Sequence, residues 1–104
     1  MIIVIAIIEV ADGRRDEFLA EFNKIVPLVN AEEGCIEYGP AIDVPTDISV
    51  QQPMGDDVVT VIEKWESVGT LRAHLSAPHM VEYRPKVKDM VVDMKIHVLQ
   101  PAVS

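Results

Sequence analysis

Several side chains able to move a proton or hold a charge fall close together in the second half of this chain. They are Glu63, His74, His79 and Arg84, with the only tryptophan, Trp65, among them. Glu63 stands two residues before Trp65 near the end of an apolar, β-branched run. Such a carboxylate reads in two ways. It is a cavity base whose pKa is raised by burial, or it is half of a structural ion pair with a lysine or arginine. His74 flanks the apolar stripe of a short helix, where it is a surface histidine or a base titrating near neutral pH. His79 follows Pro78 at a helix start, where it caps the helix or transfers a proton. The two histidines are five residues apart across a proline and do not share a helix face, so no metal site is expected from them. Arg84 lies at the edge of the Met80, Tyr83 and Val87 stripe and either anchors an oxyanion or pairs with an acidic neighbour. Trp65 is core filling or a pocket wall that stacks on an aromatic ring. Tyr38 and Tyr83 read as core-edge residues with a hydroxyl to satisfy.

The elements that must position these groups follow from pattern. Val58, Val59, Val61 and Ile62 mark a strand ending at Trp65, and period two puts Val59, Val61, Glu63 and Trp65 on one face. Ser67 is a helix cap for Val68 to Leu75, with Leu71 and Leu75 facing inward. Pro78 opens the next helix, on which Met80, Tyr83, Val87, Met90 and Val91 form one stripe, and Pro85 blurs its start. Val91 to Gln100 closes the chain as a strand. At the other end, Ile2 to Glu9 reads as a strand buried on both faces. Asp12-Gly13 makes a turn, and Arg14 to Glu32 a helix with Phe18, Phe22, Ile25, Val26 and Val29 inward. Pro27 should kink that helix, and Gly34 sits where a C-terminal cap would. Cys35 to Asp43 reads as an edge strand with a defect at Gly39-Pro40. Val44 to Asp57 is a long loop of the kind that often carries function, with a short strand at Ser49 to Gln52.

Composition bounds the rest. The 104 residues make one domain, residues 1–104, with a modest core. A 49% hydrophobic content excludes disorder, and the interspersed charge excludes a membrane span. A net charge of −8 argues against nucleic acid and anionic membranes as partners. The apolar start lacks a basic flank and a cleavage site, and Cys35 is the only cysteine, so a reducing cytoplasm is the expected home. Nothing near Cys35 is strongly basic, and it reads as a small buried hydrophobe.

The order strand, helix, strand, strand, helix, strand is the α+β, ferredoxin-like split βαβ pattern. Ile8-Glu9 and Ile62-Glu63 close corresponding strands of the two halves. Helices cover one face of such a sheet, and the strands here are apolar on both. A second copy packed sheet to sheet, a homodimer, is therefore expected.

The chain resembles the antibiotic biosynthesis monooxygenase family, and within it the small bacterial quinol monooxygenases. Lys24-Ile25-Val26-Pro27, Glu32-Glu33-Gly34-Cys35 with Tyr38, and Ile62-Glu63-Lys64-Trp65-Glu66-Ser67 carry the resemblance. So do Ala73-His74-Leu75, Pro78-His79-Met80 and Leu99-Gln100-Pro101. It implies a dimeric α+β barrel that oxidises quinols or phenols with molecular oxygen and needs neither metal nor prosthetic group. An electron-rich phenolate can reduce oxygen itself, so the protein supplies a dry pocket, a proton acceptor and a hold on the oxyanion. Polyketide-oxidising relatives place a tryptophan in the cavity, matching Trp65, but carry an asparagine where Val61 stands here. The candidates are then His74, His79 and Glu63 for proton transfer, and Trp65, Arg84 and Tyr83 against a small aromatic substrate. An isomerase, a haem-degrading enzyme and a non-catalytic dimeric module that binds aromatic metabolites are the alternatives on the same fold. The tryptophan and histidine positions of the haem degraders fall near His74 and Arg84, which does not match.

Overall fold

A computed structural model describes residues 1–103. Its elements follow in the order β1 (Ile2–Val10), α1 (Arg15–Asn30), β2 (Cys35–Ala41), β3 (Val58–Trp65), α2 (Val68–Leu75), α3 (Pro78–Val87) and β4 (Val91–Leu99). The strands pair antiparallel in the order β2-β3-β1-β4. This is the expected ferredoxin-like arrangement, with the second helical segment divided at Ser76 and Ala77. The helices cover one face of the sheet and the other is left open. The molecule is accordingly a slab of 39 × 36 × 20 Å, two layers thick. No helix among the described residues is long and apolar enough to cross a membrane.

The continuous apolar runs of β1 and β3 are buried on one face only, not on both. Ile2, Val4, Ala6, Ile8 and Val10 are buried, while Ile3, Ile5 and Ile7 are half-buried on the opposite face. In β3, Val59, Val61, Glu63 and Trp65 alternate in the same way with half-buried Val58, Thr60, Ile62 and Lys64. The register sets Val4 opposite Glu63 on one side and Tyr38 opposite Glu63 on the other. A carboxylate is thus held in the middle of the helix-facing surface, on a central strand.

Helix α1 buries Phe18, Phe22, Ile25 and Val29, at the expected spacing. It runs through Pro27, which lies on the exposed side, where water can satisfy the freed carbonyl of Asn23. Gly34 is not the helix cap, because α1 ends at Asn30. It stands in the following turn with φ +82°, where an added Cβ would come within 2.4 Å of Thr70. Thr70 belongs to the capping box of α2. Ser67 Oγ accepts the Thr70 N–H at 3.2 Å, and Thr70 Oγ1 accepts the Ser67 N–H at 3.2 Å. The Glu66 N–H also donates to the Gly34 carbonyl at 2.8 Å. These contacts fasten the turn containing Glu32 to the start of α2.

β2 is an edge strand, as expected, but its irregularity falls between Cys35 and Glu37, and Gly39-Pro40 pairs regularly with Ile62 and Val61. The loop after it contains a turn at Ser49 and Val50 and no strand. Asp43 organises it by accepting the Met54 and Gly55 N–H groups at 3.0 and 2.9 Å. The expected function of this loop finds no support in its position, since none of its residues reaches the cavity described next.

Candidate active site

A cavity of about 730 Å³ lies between the sheet and the helices. Val4, Ala6 and Ile8 of β1 and Val61 of β3 floor it, and Phe18, Phe22, Leu71 and Met80 wall it. The strand alternation and the helical stripes make this lining apolar. A small set of polar groups interrupts it: Glu63, His74, Tyr38, Tyr83, Arg84 and Lys88. Apolar walls with a few convergent polar groups are the usual form of a small-molecule site. Val81, Met94 and Ile96, exposed to solvent, stand at its open side.

His74 is buried, at 2% exposure, so it is not a surface histidine. Leu71 and His74 face inward, while Leu75 sits exposed at the cavity mouth. Leu75 was expected to face inward with Leu71, and His74 takes that place instead, because positions three and four residues after Leu71 lie on the same helix face. The His74 Nδ1 atom is 2.9 Å from Glu32 Oε2, and no protein atom among the described residues hydrogen-bonds Nε2. Burial lowers its pKa, opposed by the hydrogen bond and charge of Glu32, and the net lowering favours the neutral ring.

Glu63, also buried, lines the cavity and pairs with no lysine or arginine among the described residues. Its structural ion-pair reading is therefore set aside. Its Oε1 accepts the Trp65 Nε1–H at 3.0 Å. Burial pushes its pKa up to about 7, against the lowering effect of that bond and with help from the Glu32 charge. A raised pKa in the folded state means that stability present below the unfolded value near 4.5 declines as the pH rises through about 7. Glu63→Gln keeps an acceptor for Trp65 and cannot ionise. By pH 8 it should be more stable than the wild type by roughly 2–3 kcal/mol, with the gap closing at pH 5. Urea titrations of both proteins at the two pH values measure this.

Trp65 does not wall the cavity. It is fully buried behind Glu63 and His74, its ring 4.7 Å from the imidazole of His74. His79 does not reach the cavity either. It lines a separate small pocket of about 140 Å³ with Glu21, Lys24, Glu82 and Lys86. Yet its Nε2 lies 2.7 Å from the same Glu32 Oε2 that meets His74. The two histidines share no helix face, but the carboxylate from the turn after α1 brings them together. The donor atoms of Glu32, His74 and His79 lie within 4.8 Å of one another, a spacing that a metal ion also requires. Both nitrogens, however, meet one oxygen at hydrogen-bond distance, and that is the geometry of two N–H donors on a carboxylate.

Arg84 lines the cavity and donates through Nη2 to the Leu75 carbonyl at the end of α2, making no ion pair with an acidic neighbour among the described residues. Tyr83 and Tyr38 also line it, and burial raises the pKa of both, so they stand as neutral phenols. Cys35 is half-buried with its pKa raised by burial and by the nearby Glu32 and Glu63 charges, as expected of an unreactive thiol. Glu32 is the residue that the sequence did not single out. Its one signal was its place in the Glu32-Glu33-Gly34 turn, which gives no hint of the histidines it meets.

Residues 1–86 match the family model described as antibiotic biosynthesis monooxygenase. The protein named "Probable quinol monooxygenase YgiN" of Escherichia coli K12 is 44% identical over 105 residues, covering 99% of this chain and 100% of that one. The crystal structure of PA3566 from Pseudomonas aeruginosa superposes with a TM-score of 0.82 at 22% identity, over 98% of this chain and 94% of that one. Rv0793 from Mycobacterium tuberculosis gives a TM-score of 0.79 at 21% identity, over 99% and 96% of the two chains. At those identities the two structures speak for the fold alone.

Proposed function

Because the chain belongs to the antibiotic biosynthesis monooxygenase family, we propose that it oxidises quinols or related phenolic aromatics with molecular oxygen in the cavity beneath its helices. The observation that carries this reading is the buried His74, held at Nδ1 by Glu32, on the wall of an apolar cavity large enough for a fused aromatic ring system. The 44% identical relative named as a quinol monooxygenase supports the substrate class.

In the reaction, His74 Nε2 takes the proton of one quinol hydroxyl. The phenolate gives one electron to oxygen, and the resulting radical pair joins at a ring carbon to form a peroxide. That carbon loses its hydrogen as a proton while the O–O bond breaks. The proximal oxygen stays on the ring as a carbonyl, and the distal oxygen takes the proton held by His74 and a second proton to leave as water. One quinol and one oxygen thus give one hydroxylated quinone and one water. Glu63, with its pKa near 7, is poised to give or take the other proton close to neutral pH. Arg84 and Tyr83 offer donors to the developing oxyanion from α3. Trp65 acts behind the wall by holding Glu63 and packing His74. No step calls for a prosthetic group. Oxygen uptake with a reduced naphthoquinone, above its spontaneous oxidation, tests the reading. A protein that takes up haem with a Soret band but leaves oxygen uptake at the spontaneous rate would overturn it.

The homodimer belongs to the same proposal. Ile3, Ile5, Ile7 and Ile62 lie on the sheet face that the helices leave open, and a second sheet would bury them. Sedimentation at micromolar concentration should give twice the mass of one chain, 11.5 kDa. A folded monomer would contradict it. A reducing cytoplasm suits the chain's single, half-buried thiol.

A further inference from the structure

We propose that Glu32 is the positioning residue for His74, and that His79 serves the site as the clamp that holds Glu32 in place. The inference rests on the reading of His74 as the base. Three elements converge here: the turn after α1 brings Glu32, α2 brings His74 and the first turn of α3 brings His79. One oxygen, Glu32 Oε2, lies 2.9 Å from His74 Nδ1 and 2.7 Å from His79 Nε2. A carboxylate oxygen only accepts, so both of those nitrogens carry hydrogen. The hydrogen on Nδ1 fixes the tautomer of His74 and leaves the lone pair on Nε2, the nitrogen free to serve the cavity. When Nε2 takes a substrate proton, the imidazolium already faces an anion, and no charge is stranded in the apolar wall. His79, only partly buried, donates from the outer side and keeps the carboxylate from turning away.

The surroundings agree with this division of labour. The titratable and charged groups around His74 are Glu32, His79, Arg84 and Tyr38, with Glu63 reached across Trp65. Glu32 also neighbours Cys35, and His79 faces Glu21, Lys24, Glu82, Tyr83 and Lys86 in its own pocket. Among these, only Glu32 accepts a hydrogen bond from the His74 ring. The capping box of α2 and the Gly34 turn hold donor and acceptor in register.

Kinetics and spectroscopy on the full chain test the proposal. Glu32→Gln should lower kcat by about 10²–10⁴-fold with KM little changed, as expected when a base loses its orienting anion. The acid limb of its pH profile should move to lower pH, because the anion that favours imidazolium is gone. A fall in kcat that merely follows the folded fraction, with the limb unmoved, would overturn the positioning role. His79→Ala should lower kcat by about 10-fold, within the range for losing an outer hydrogen-bond partner. His79→Gln, which keeps a donor but cannot titrate, should restore most of it. A glutamine variant as slow as the alanine variant would make His79 a proton carrier instead. Loss of wild-type turnover on chelation would also overturn the proposal, by giving the three groups to a metal ion. Nitrogen-15 spectra of the resting wild type read the tautomer without any turnover. A hydrogen on His74 Nδ1 is expected, and one on Nε2 would refute the proposal even if the quinol activity stands. Absent quinol turnover with the expected tautomer would refute the activity and leave the geometry in place.

Discussion

Replacing His74 with asparagine is expected to lower quinol-dependent oxygen uptake by about 10²–10⁴-fold, the usual range for removing a general base. In barrier height that is about 2.7–5.5 kcal/mol. The melting transition should stay close to that of the wild type. Asparagine is chosen because its amide can stand where Nδ1 stands and keep a donor on Glu32 Oε2, now met at 2.9 Å. What it lacks is the second ring nitrogen, the one free to serve the cavity. His74→Ala removes both functions and opens a hole beside Trp65, whose ring lies 4.7 Å away. It should therefore lose stability as well as rate, and the contrast between the variants separates chemistry from packing. The pH profile adds a check. Burial lowers the His74 pKa, so the wild type should keep its base unprotonated below the ordinary value of 6.5. Activity should fall only at lower pH, as the ring is protonated. An asparagine variant that turns over within about threefold of the wild type would move the base to Glu63, the other titratable group on the wall with a pKa near neutrality.

The chain's pattern made the scaffold legible. Period two placed Val59, Val61, Glu63 and Trp65 on one face, and the structure buries all of them. Helical spacing found Phe18, Phe22, Ile25 and Val29, and Ser67 announced the cap it forms. Pattern read Ile3, Ile5 and Ile7 as buried and the single chain leaves them half-buried, because a run of isoleucines looks the same whether its second face meets a helix, another chain or water. It also placed Leu75 inward where His74 goes, since a short helix gives too few turns to fix its rotation. The site itself was half legible. Glu63 and His74 were named, and both line the cavity. Glu32 and the pairing with His79 depend on a turn and two helices meeting at contacts 42 and 47 residues apart in the chain. No local spacing encodes such a meeting. Gly34 carries the trace of it, as a residue whose missing Cβ lets the turn press against Thr70, but a glycine after a helix invites the simpler reading of a cap.

Trp65→Ala is the second large effect, and it should be one of stability. The indole has no exposed surface and sits in the core between the sheet and His74. Truncating a buried aromatic costs about 3–5 kcal/mol, because its contacts vanish and the cavity left behind closes only in part. A domain of this size has about 5–15 kcal/mol in total. The variant also removes the N–H that meets Glu63 Oε1 at 3.0 Å, leaving a buried carboxylate without a donor among the described residues. Trp65→Ala should therefore lower the melting temperature steeply, and its activity should track the folded fraction. Trp65→Phe separates the two roles. It keeps most of the apolar area and loses only the N–H, at a cost of about 1–3 kcal/mol for the unpaired acceptor. The Trp65 hydrogen bond holds the Glu63 pKa down, so its loss should raise that pKa further above about 7. The phenylalanine variant should then stay folded, with any limb of the activity profile set by Glu63 moved to higher pH. A tryptophan that only walled a substrate pocket would give the reverse: an alanine variant with a near-normal melt and a loss of quinol turnover that phenylalanine partly restores. Thermal melts and oxygen uptake across pH on the two variants distinguish these outcomes.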